Sequence, residues 1–189
     1  MVATPSTMQS LGSSAFYFKL TDVRTNLLIE LSSNVEQPLL LMFICNHCPF
    51  VLHLIDQLTS IANQAQENGF FVAAISSNDI QSYPQDAPDK MLEFANNYGF
   101  RFPYLFDENQ TVAKSYSAAC TPDFFVYDKQ HKLAYRGQMD NARPTNALPV
   151  NGDDLSQALY AVLNNKMPPA QQLPSIGCNI KWKPGNEPY

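Results

Sequence analysis

The stretch LMFICNHCPFV runs from Leu41 to Val51. It holds Cys45 and Cys48 three positions apart, with His47 between them. This spacing is compatible with a bound metal ion, with a redox-active dithiol, and with two small residues of a hydrophobic core. The residues on either side of the motif indicate the fold that carries it, and the fold narrows the choice.

A buried strand is predicted before the two cysteines and an amphipathic helix after them. Residues 38–44, PLLLMFI, form a continuous apolar run, which is typical of a central strand covered on both faces of its sheet. Beyond the second cysteine, apolar residues recur with the period of a helix. They are Val51, Leu54, Ile55, Leu58, Ile61, Ala62 and Ala65. Gly69 is predicted to end this helix.

The rest of the chain alternates between the patterns of strands and helices. Further strands, the last two forming a hairpin, are predicted within 15–23, 25–33, 70–76, 123–128 and 132–137. Further helices are predicted within 89–99, 109–118 and 152–166. Asp153 or Asp154 is expected to cap the last of these helices. The alternation predicts an α/β fold with a mixed sheet.

The two ends of the chain have a different composition from this regular middle. Residues 1–14 are small and polar, and they are predicted to form a loosely held N-terminal arm. Residues 167–189 are proline-rich and irregular, but they contain the only tryptophan, Trp182. We therefore predict a single domain over residues 1–189, with the tail docked on its body.

Composition argues against several classes of function. The formal net charge is -5 and there is no basic run of five residues, so nucleic acid is not expected as a partner. No apolar stretch reaches the roughly 18 residues of a membrane span, so no membrane association is expected. The N-terminal segment lacks the pattern of a secretory signal, and we predict a cytoplasmic protein. In a reducing compartment a close cysteine pair is more often catalytic or metal-binding than structural.

The predicted strand and helix give the two cysteines different roles. Cys45 falls at the end of the strand, beside the N-terminus of the helix, and Cys48 falls in the first helical turn. Unpaired N–H groups at that terminus favour a thiolate, so Cys45 is predicted to have a depressed pKa and to be the nucleophile. Cys48 would then resolve a mixed disulfide formed on Cys45. A protonated His47 would stabilise the thiolate further and make the pair more oxidising, although His47 could also be a solvated loop residue.

The motifs FICNHCPFV, CTPDFFVYD and YRG, taken together, resemble those of the thioredoxin-fold superfamily. The resemblance implies a cis peptide bond between Thr121 and Pro122, in a segment that faces the dithiol. It also implies that the backbone of Thr121 pairs with the extended chain of a substrate. Asn46, inside the motif, is expected to contact substrate together with Thr121 and Pro122.

The region from residue 77 to residue 107 and the tail motif GCNIKWKPGNEP narrow the resemblance. They are similar to the redoxin branch, and to its peroxiredoxin-like proteins, over about residues 10–185. The implied fold is thioredoxin-like, with an insert before the cis proline and an extended C-terminal tail. Two positions depart from thioredoxin itself: Ile44 stands where a tryptophan precedes the first cysteine, and Leu39 stands where a buried acid is usual.

The function implied by the resemblance is thiol–disulfide exchange, with a mixed disulfide on Cys45 that Cys48 resolves. Expected partners are protein or small-molecule thiols and disulfides and an unidentified electron donor, with no metal or nucleotide cofactor. Cys120 and Cys178 are candidate additional redox thiols, although each could instead be a buried filler.

The sequence leaves two alternative functions open. One is a thiol peroxidase, although the proline and threonine that precede a peroxide-attacking cysteine are missing from PLLLMFICNHC. The other is a zinc-binding module, in which Cys45, Cys48 and His47 would need Cys120 or Cys178 as a fourth ligand.

Overall fold

The computed structural model describes residues 3–188 of the chain. Its strands are β1 (Ala3–Pro5), β2 (Phe18–Asp22), β3 (Leu28–Leu31), β4 (Leu39–Phe43), β5 (Phe71–Ser76), β6 (Tyr104–Phe106), β7 (Cys120–Thr121), β8 (Asp123–Tyr127), β9 (Leu133–Gly137) and β10 (Ile176–Asn179). Its α-helices are α1 (Pro49–Glu67), α2 (Pro88–Asn97), α3 (Thr111–Ser115) and α4 (Asp153–Leu163). A short 3-10 helix, Pro84–Asp86, precedes α2.

A seven-stranded mixed sheet forms the centre of the protein, in the order β3-β2-β6-β5-β4-β8-β9. Strand β4 pairs in parallel with β5 and antiparallel with β8. The residues of β4 are all buried, as the apolar run predicts. Successive residues along the strand face opposite sides of the sheet: Leu40 and Met42 join one hydrophobic core, and Leu41 and Phe43 join the other.

Helices α1, α2 and α4 cover the first core, and α3 covers the second. The apolar stripe of α1 is buried along its length, because it packs on the face of the sheet that Leu40 and Met42 share. This arrangement confirms the predicted fold class, a thioredoxin-like mixed sheet flanked by helices. None of the helices in the described part of the chain has the length and apolar character that a membrane crossing requires.

A second, three-stranded sheet has the order β1-β10-β7 and joins the two ends of the chain to the site. The prediction of a loosely held arm over residues 1–14 is wrong for β1, which pairs with β10 along its whole length. A strand this short has no readable periodicity, so the sequence gives no sign of it. In the tail, Trp182 packs, partly buried, against the second core.

The start of α4 also differs from the prediction. Its N-cap is Gly152, in a left-handed conformation with φ of 68°, rather than Asp153 or Asp154. A buried acid from the preceding loop, Asp140, accepts hydrogen bonds from the backbone N–H groups of Asn151 and Gly152 at 2.9 and 2.7 Å. Asp140 therefore holds the residues just before the helix, and in its first turn the Leu155 N–H donates to the Met139 carbonyl at 3.1 Å rather than to a capping side chain.

Candidate active site

The two cysteines of the motif lie at the junction between β4 and α1. Cys48 is the N-cap of α1, immediately before the proline at the first helical position, and Cys45 lies three residues earlier. Only 1% of Cys45 and 0% of Cys48 is exposed. The predicted strand and helix lie on either side of the C-x-x-C motif, with Cys48 one residue ahead of the helix rather than inside its first turn.

The Thr121–Pro122 segment faces the dithiol, and its peptide bond is cis, as the resemblance implied. The Thr121 hydroxyl oxygen lies 3.4 Å from the Cys45 sulfur. The Cys48 sulfur lies 3.1 Å from the Thr121 carbonyl oxygen, to which it donates a hydrogen bond when it is protonated. One residue from the far side of the fold therefore contacts both sulfurs.

In the reduced pair the pKa of Cys48 is lowered and that of Cys45 is raised well above its usual value, the opposite of the order that the sequence predicts. A hydrogen bond from the Cys45 thiol is the main cause that lowers the pKa of Cys48 to about 5, and contacts from Cys178 and Thr121 add to it against the effect of burial. That same bond, followed by burial and the negative charge of Asp86, raises the pKa of Cys45. The N-cap position adds a smaller effect, because the backbone N–H of Val51 in the first turn of α1 also lowers the pKa of Cys48.

His47 is turned towards the insert. Its Nδ1 lies 2.7 Å from Oδ2 of Asp86, a fully buried carboxylate, and its ring stacks on Tyr83 with a centroid distance of 5.6 Å. The charge of Asp86 raises the pKa of Cys45, in the direction opposite to the effect expected of His47, whose role stays a prediction.

Asp86 also holds the backbone and side chains around the motif. Its carboxylate accepts hydrogen bonds from the Asn46 backbone N–H at 2.9 Å and from the Asn78 amide at 2.8 Å. The Asn46 side chain donates to the Gln85 carbonyl and accepts from the Tyr104 hydroxyl. Contact between Asn46 and substrate stays a prediction, and in the structure these groups anchor the loop between the cysteines. Nothing in the spacing of the sequence marks Asp86, which lies 39 positions from His47.

The structure separates the two remaining cysteines. The Cys178 sulfur lies 2.8 Å from the Cys48 sulfur, so the tail brings a third thiol into the site. The Cys120 thiol instead makes a weak hydrogen bond to the Pro122 carbonyl at 3.6 Å. Burial raises the pKa of Cys120 far above its usual value, which is the behaviour of a buried filler.

The described residues include one set of side chains that could hold a metal ion. Ligand atoms of Cys45, His47 and Asp86 all lie within 4.8 Å of one another. This set differs from the predicted zinc ligands, because it contains Asp86 and lacks Cys48 and the fourth ligand expected from Cys120 or Cys178. In the structure two of these side chains are bonded to each other, His47 Nδ1 to Asp86 Oδ2 at 2.7 Å.

Known proteins similar to this chain support the fold. An uncharacterized conserved protein from Geobacillus kaustophilus is 46% identical, with a TM-score of 0.94 over 98% of each chain. A hypothetical protein from Sinorhizobium meliloti 1021 is 44% identical, with a TM-score of 0.92 over 96% of this chain and 100% of its own. A secreted disulfide oxidoreductase from Mycobacterium tuberculosis, homologous to E. coli DsbE, is 20% identical, with a TM-score of 0.60 over 76% of this chain and 95% of its own. No curated protein matched.

The family model of the AhpC/TSA family matches residues 11–136. That span holds the C-x-x-C motif, the insert and the cis proline, and it makes up more than half of the chain. The chain therefore belongs to the AhpC/TSA family, as a thioredoxin-like member of the redoxin superfamily.

Proposed function

We propose that this protein is a thiol–disulfide oxidoreductase whose Cys45–Cys48 pair alternates between dithiol and disulfide. The observation that carries the proposal is the placement of both sulfurs against Thr121, with Cys48 as the N-cap of a long helix and its pKa lowered to about 5. A sulfur that holds a negative charge at neutral pH is a good leaving group and a ready nucleophile in disulfide exchange.

The difference in pKa between the two cysteines indicates which sulfur is attacked and which one leaves. A substrate thiolate attacks the Cys45 sulfur of the oxidised pair, the Cys45–Cys48 bond breaks, and Cys48 leaves as a thiolate beside Thr121 and Cys178. This gives a mixed disulfide on Cys45. In the reverse direction the Cys48 thiolate resolves that mixed disulfide and releases the substrate thiol. A low pKa of the leaving sulfur stabilises the reduced pair and favours oxidation of the substrate.

The tail restricts which substrates reach the pair. The backbone of Thr121, the expected partner of an extended substrate, is already paired with Cys178 of β10. A protein substrate would have to displace this strand, whereas a small thiol or disulfide needs only a local opening at Cys45. We propose small-molecule or flexible protein thiols as substrates, with no cofactor and an unidentified electron donor; the cytoplasmic location stays a prediction.

Trapping the mixed disulfide tests this proposal. Incubation of Cys48→Ser with glutathione disulfide is expected to leave glutathione attached to Cys45, because the sulfur that resolves it is gone. Cys45→Ser is expected to lose insulin reduction with dithiothreitol as donor, and Cys120→Ser is the matched control that keeps it. Full activity of the Cys45→Ser protein would contradict the assignment.

A second candidate is reduction of peroxides, and the position of Cys48 between two thiols favours it. A sulfenic acid formed on the Cys48 thiolate could be resolved by Cys45 or by Cys178, whose sulfur is 2.8 Å away. Hydrogen peroxide consumption by the wild-type protein that is lost in Cys48→Ser and kept in Cys120→Ser would support this activity. Absence of consumption by the wild-type protein would leave disulfide exchange alone.

A further inference from the structure

The C-terminal strand presents a third thiol to the dithiol. Strand β10 lies between β1 and β7, and Cys178 pairs directly with Thr121, the residue that contacts both sulfurs of the motif. The Cys178 sulfur lies 2.8 Å from that of Cys48, longer than a covalent S–S bond of about 2.05 Å but inside van der Waals contact. Cys178 is 1% exposed, so its thiol faces the pair rather than solvent.

Gly177 and Ser175 hold β10 close to the cis-proline segment. A Cβ atom on Gly177 would lie 2.0 Å from the Thr121 carbonyl oxygen, so only glycine allows β10 to approach this segment so closely. Two residues before Gly177, the Ser175 hydroxyl donates to the Pro122 carbonyl at 2.7 Å. Ser175 is also tied to Ser6 through two hydrogen bonds of 2.8 and 2.9 Å. The strand is therefore held at the cis-proline segment along its whole approach.

We infer that Cys178 is a third exchanging thiol, and that Cys48 forms its disulfide alternately with Cys45 and with Cys178. This inference rests on the proposed function, because the disulfide that Cys178 attacks is the one between Cys45 and Cys48. Cys48 is then the sulfur common to both disulfides.

The exchange step needs no external oxidant. The Cys178 thiolate attacks the sulfur of Cys48, the Cys48–Cys178 bond forms, and the Cys45–Cys48 bond breaks. Cys45 leaves as a thiolate and takes up the proton that Cys178 has lost. The three cysteines therefore hold one disulfide and one thiol both before and after the exchange. The disulfide moves from the motif to the tail strand, and Cys45 becomes a thiol again.

Burial raises the pKa of Cys178 to about 12 in the reduced protein, and the contact with Cys48 is the second cause. Once Cys48 is part of a disulfide it carries no charge, so its contact no longer raises the pKa of Cys178. The oxidised pair is therefore the state in which Cys178 ionises more readily.

Peptide mapping after oxidation tests the inference. The whole protein is equilibrated with glutathione disulfide, quenched with acid, alkylated and digested with trypsin. Cys45 and Cys48 fall in the same tryptic peptide, 25–90, and Cys178 falls in peptide 167–181. A Cys48–Cys178 disulfide therefore joins two peptides, whereas a Cys45–Cys48 disulfide is internal to one.

The wild-type protein is expected to give both the internal disulfide and the joined pair. Cys45→Ser is expected to give the joined pair, Cys48→Ser to lose it, and Cys120→Ser to behave as the wild type. If neither the wild type nor Cys45→Ser gives the joined pair, the inference is overturned. The internal disulfide of the wild type would then still support the proposed function. A wild-type protein without the internal disulfide would instead overturn the proposed function.

A variant with every cysteine in place gives an independent test. Gly177→Ala is expected to push β10 away from Thr121 and to reduce the joined pair relative to the internal disulfide. Ile176→Ala is the matched control, because its side chain is exposed on the same strand. Equal amounts of joined pair in the two variants would contradict the role of the strand.

Discussion

Asp86 ties the insert to the loop between the two cysteines. It is fully buried, and it accepts hydrogen bonds from the Asn46 backbone and the Asn78 amide while it contacts the His47 ring. A buried carboxylate is stable only when its oxygens are satisfied in this way. The same charge raises the pKa of Cys45, although less than the hydrogen bond to Cys48 and burial do. One side chain therefore positions the loop and influences its chemistry.

Asp86→Asn is expected to lower the free energy of unfolding by roughly 1.5–3 kcal/mol, the usual contribution of a hydrogen bond to a charged group. The reason is that the amide cannot accept at both of its ends, so at least one partner is left without its bond. Urea denaturation of the reduced protein measures the change. Asp89→Asn is the control, because the side chain of Asp89 is 71% exposed and close to the same part of the insert. Equal effects of the two substitutions would contradict this role of Asp86.

Helix α1 holds the dithiol at its N-terminus through the packing of its apolar stripe. Leu58 is fully buried in the first core, in the middle of the helix, whereas Leu52 on the same helix is 42% exposed. The stripe fixes the helix against this face of the sheet, and the helix begins directly after Cys48, its N-cap.

Leu58→Ala is expected to lower the free energy of unfolding by about 2–5 kcal/mol, because it leaves a cavity in a close-packed core. Leu52→Ala, the same change at an exposed position of the helix, is expected to change it by at most about 0.5 kcal/mol. Chemical denaturation of the two variants, each in its reduced form, gives both values. Similar losses at the two positions would show that the helix is not held by this stripe.

The stability of the whole protein should depend on pH differently in its two redox states. In the reduced protein the pKa of Cys48 is about 5, whereas its ordinary value is 9.0. Between pH 5 and pH 9 the Cys48 sulfur is therefore protonated in the unfolded chain but ionised in the folded protein. The resulting stabilisation is complete above pH 9 and is lost as the pH falls through 5. Oxidation to the Cys45–Cys48 disulfide removes it. Asp123, a buried acid with a raised pKa, contributes in both redox states and therefore cancels from their difference.

We therefore expect the unfolding free energy of the reduced protein, minus that of the oxidised protein, to rise from about pH 5 towards about pH 9. The slope is at most about 1.4 kcal/mol for each pH unit, the value for one proton. Denaturation curves of both forms across this range measure it. Reduced Cys48→Ser is expected to lack the rise, and a flat difference for the wild type would contradict the lowered pKa of Cys48.

The sequence by itself determined the strand, the C-x-x-C motif and the helix, because these depend on local periodicity and on residues next to one another. The apolar run at 38–44 and the stripe of α1 are readable for this reason. The cis bond before Pro122 followed from the resemblance of the CTPDFF segment, not from periodicity. The placement of Cys45 and Cys48 side by side at the start of a helix therefore follows from the order of the residues alone.

Only the tertiary structure decided which groups surround the two sulfurs. Asp86 and Cys178 lie 39 positions from His47 and 130 positions from Cys48, and no local pattern connects them. Strand pairing in β1, β7 and β10 brings the tail to the site, but these strands have two to four residues and carry no period. The main cause of the lowered pKa of Cys48 is Cys45, three positions away, but the further contributions of Cys178 and Thr121 depend on neighbours that only the folded chain brings together.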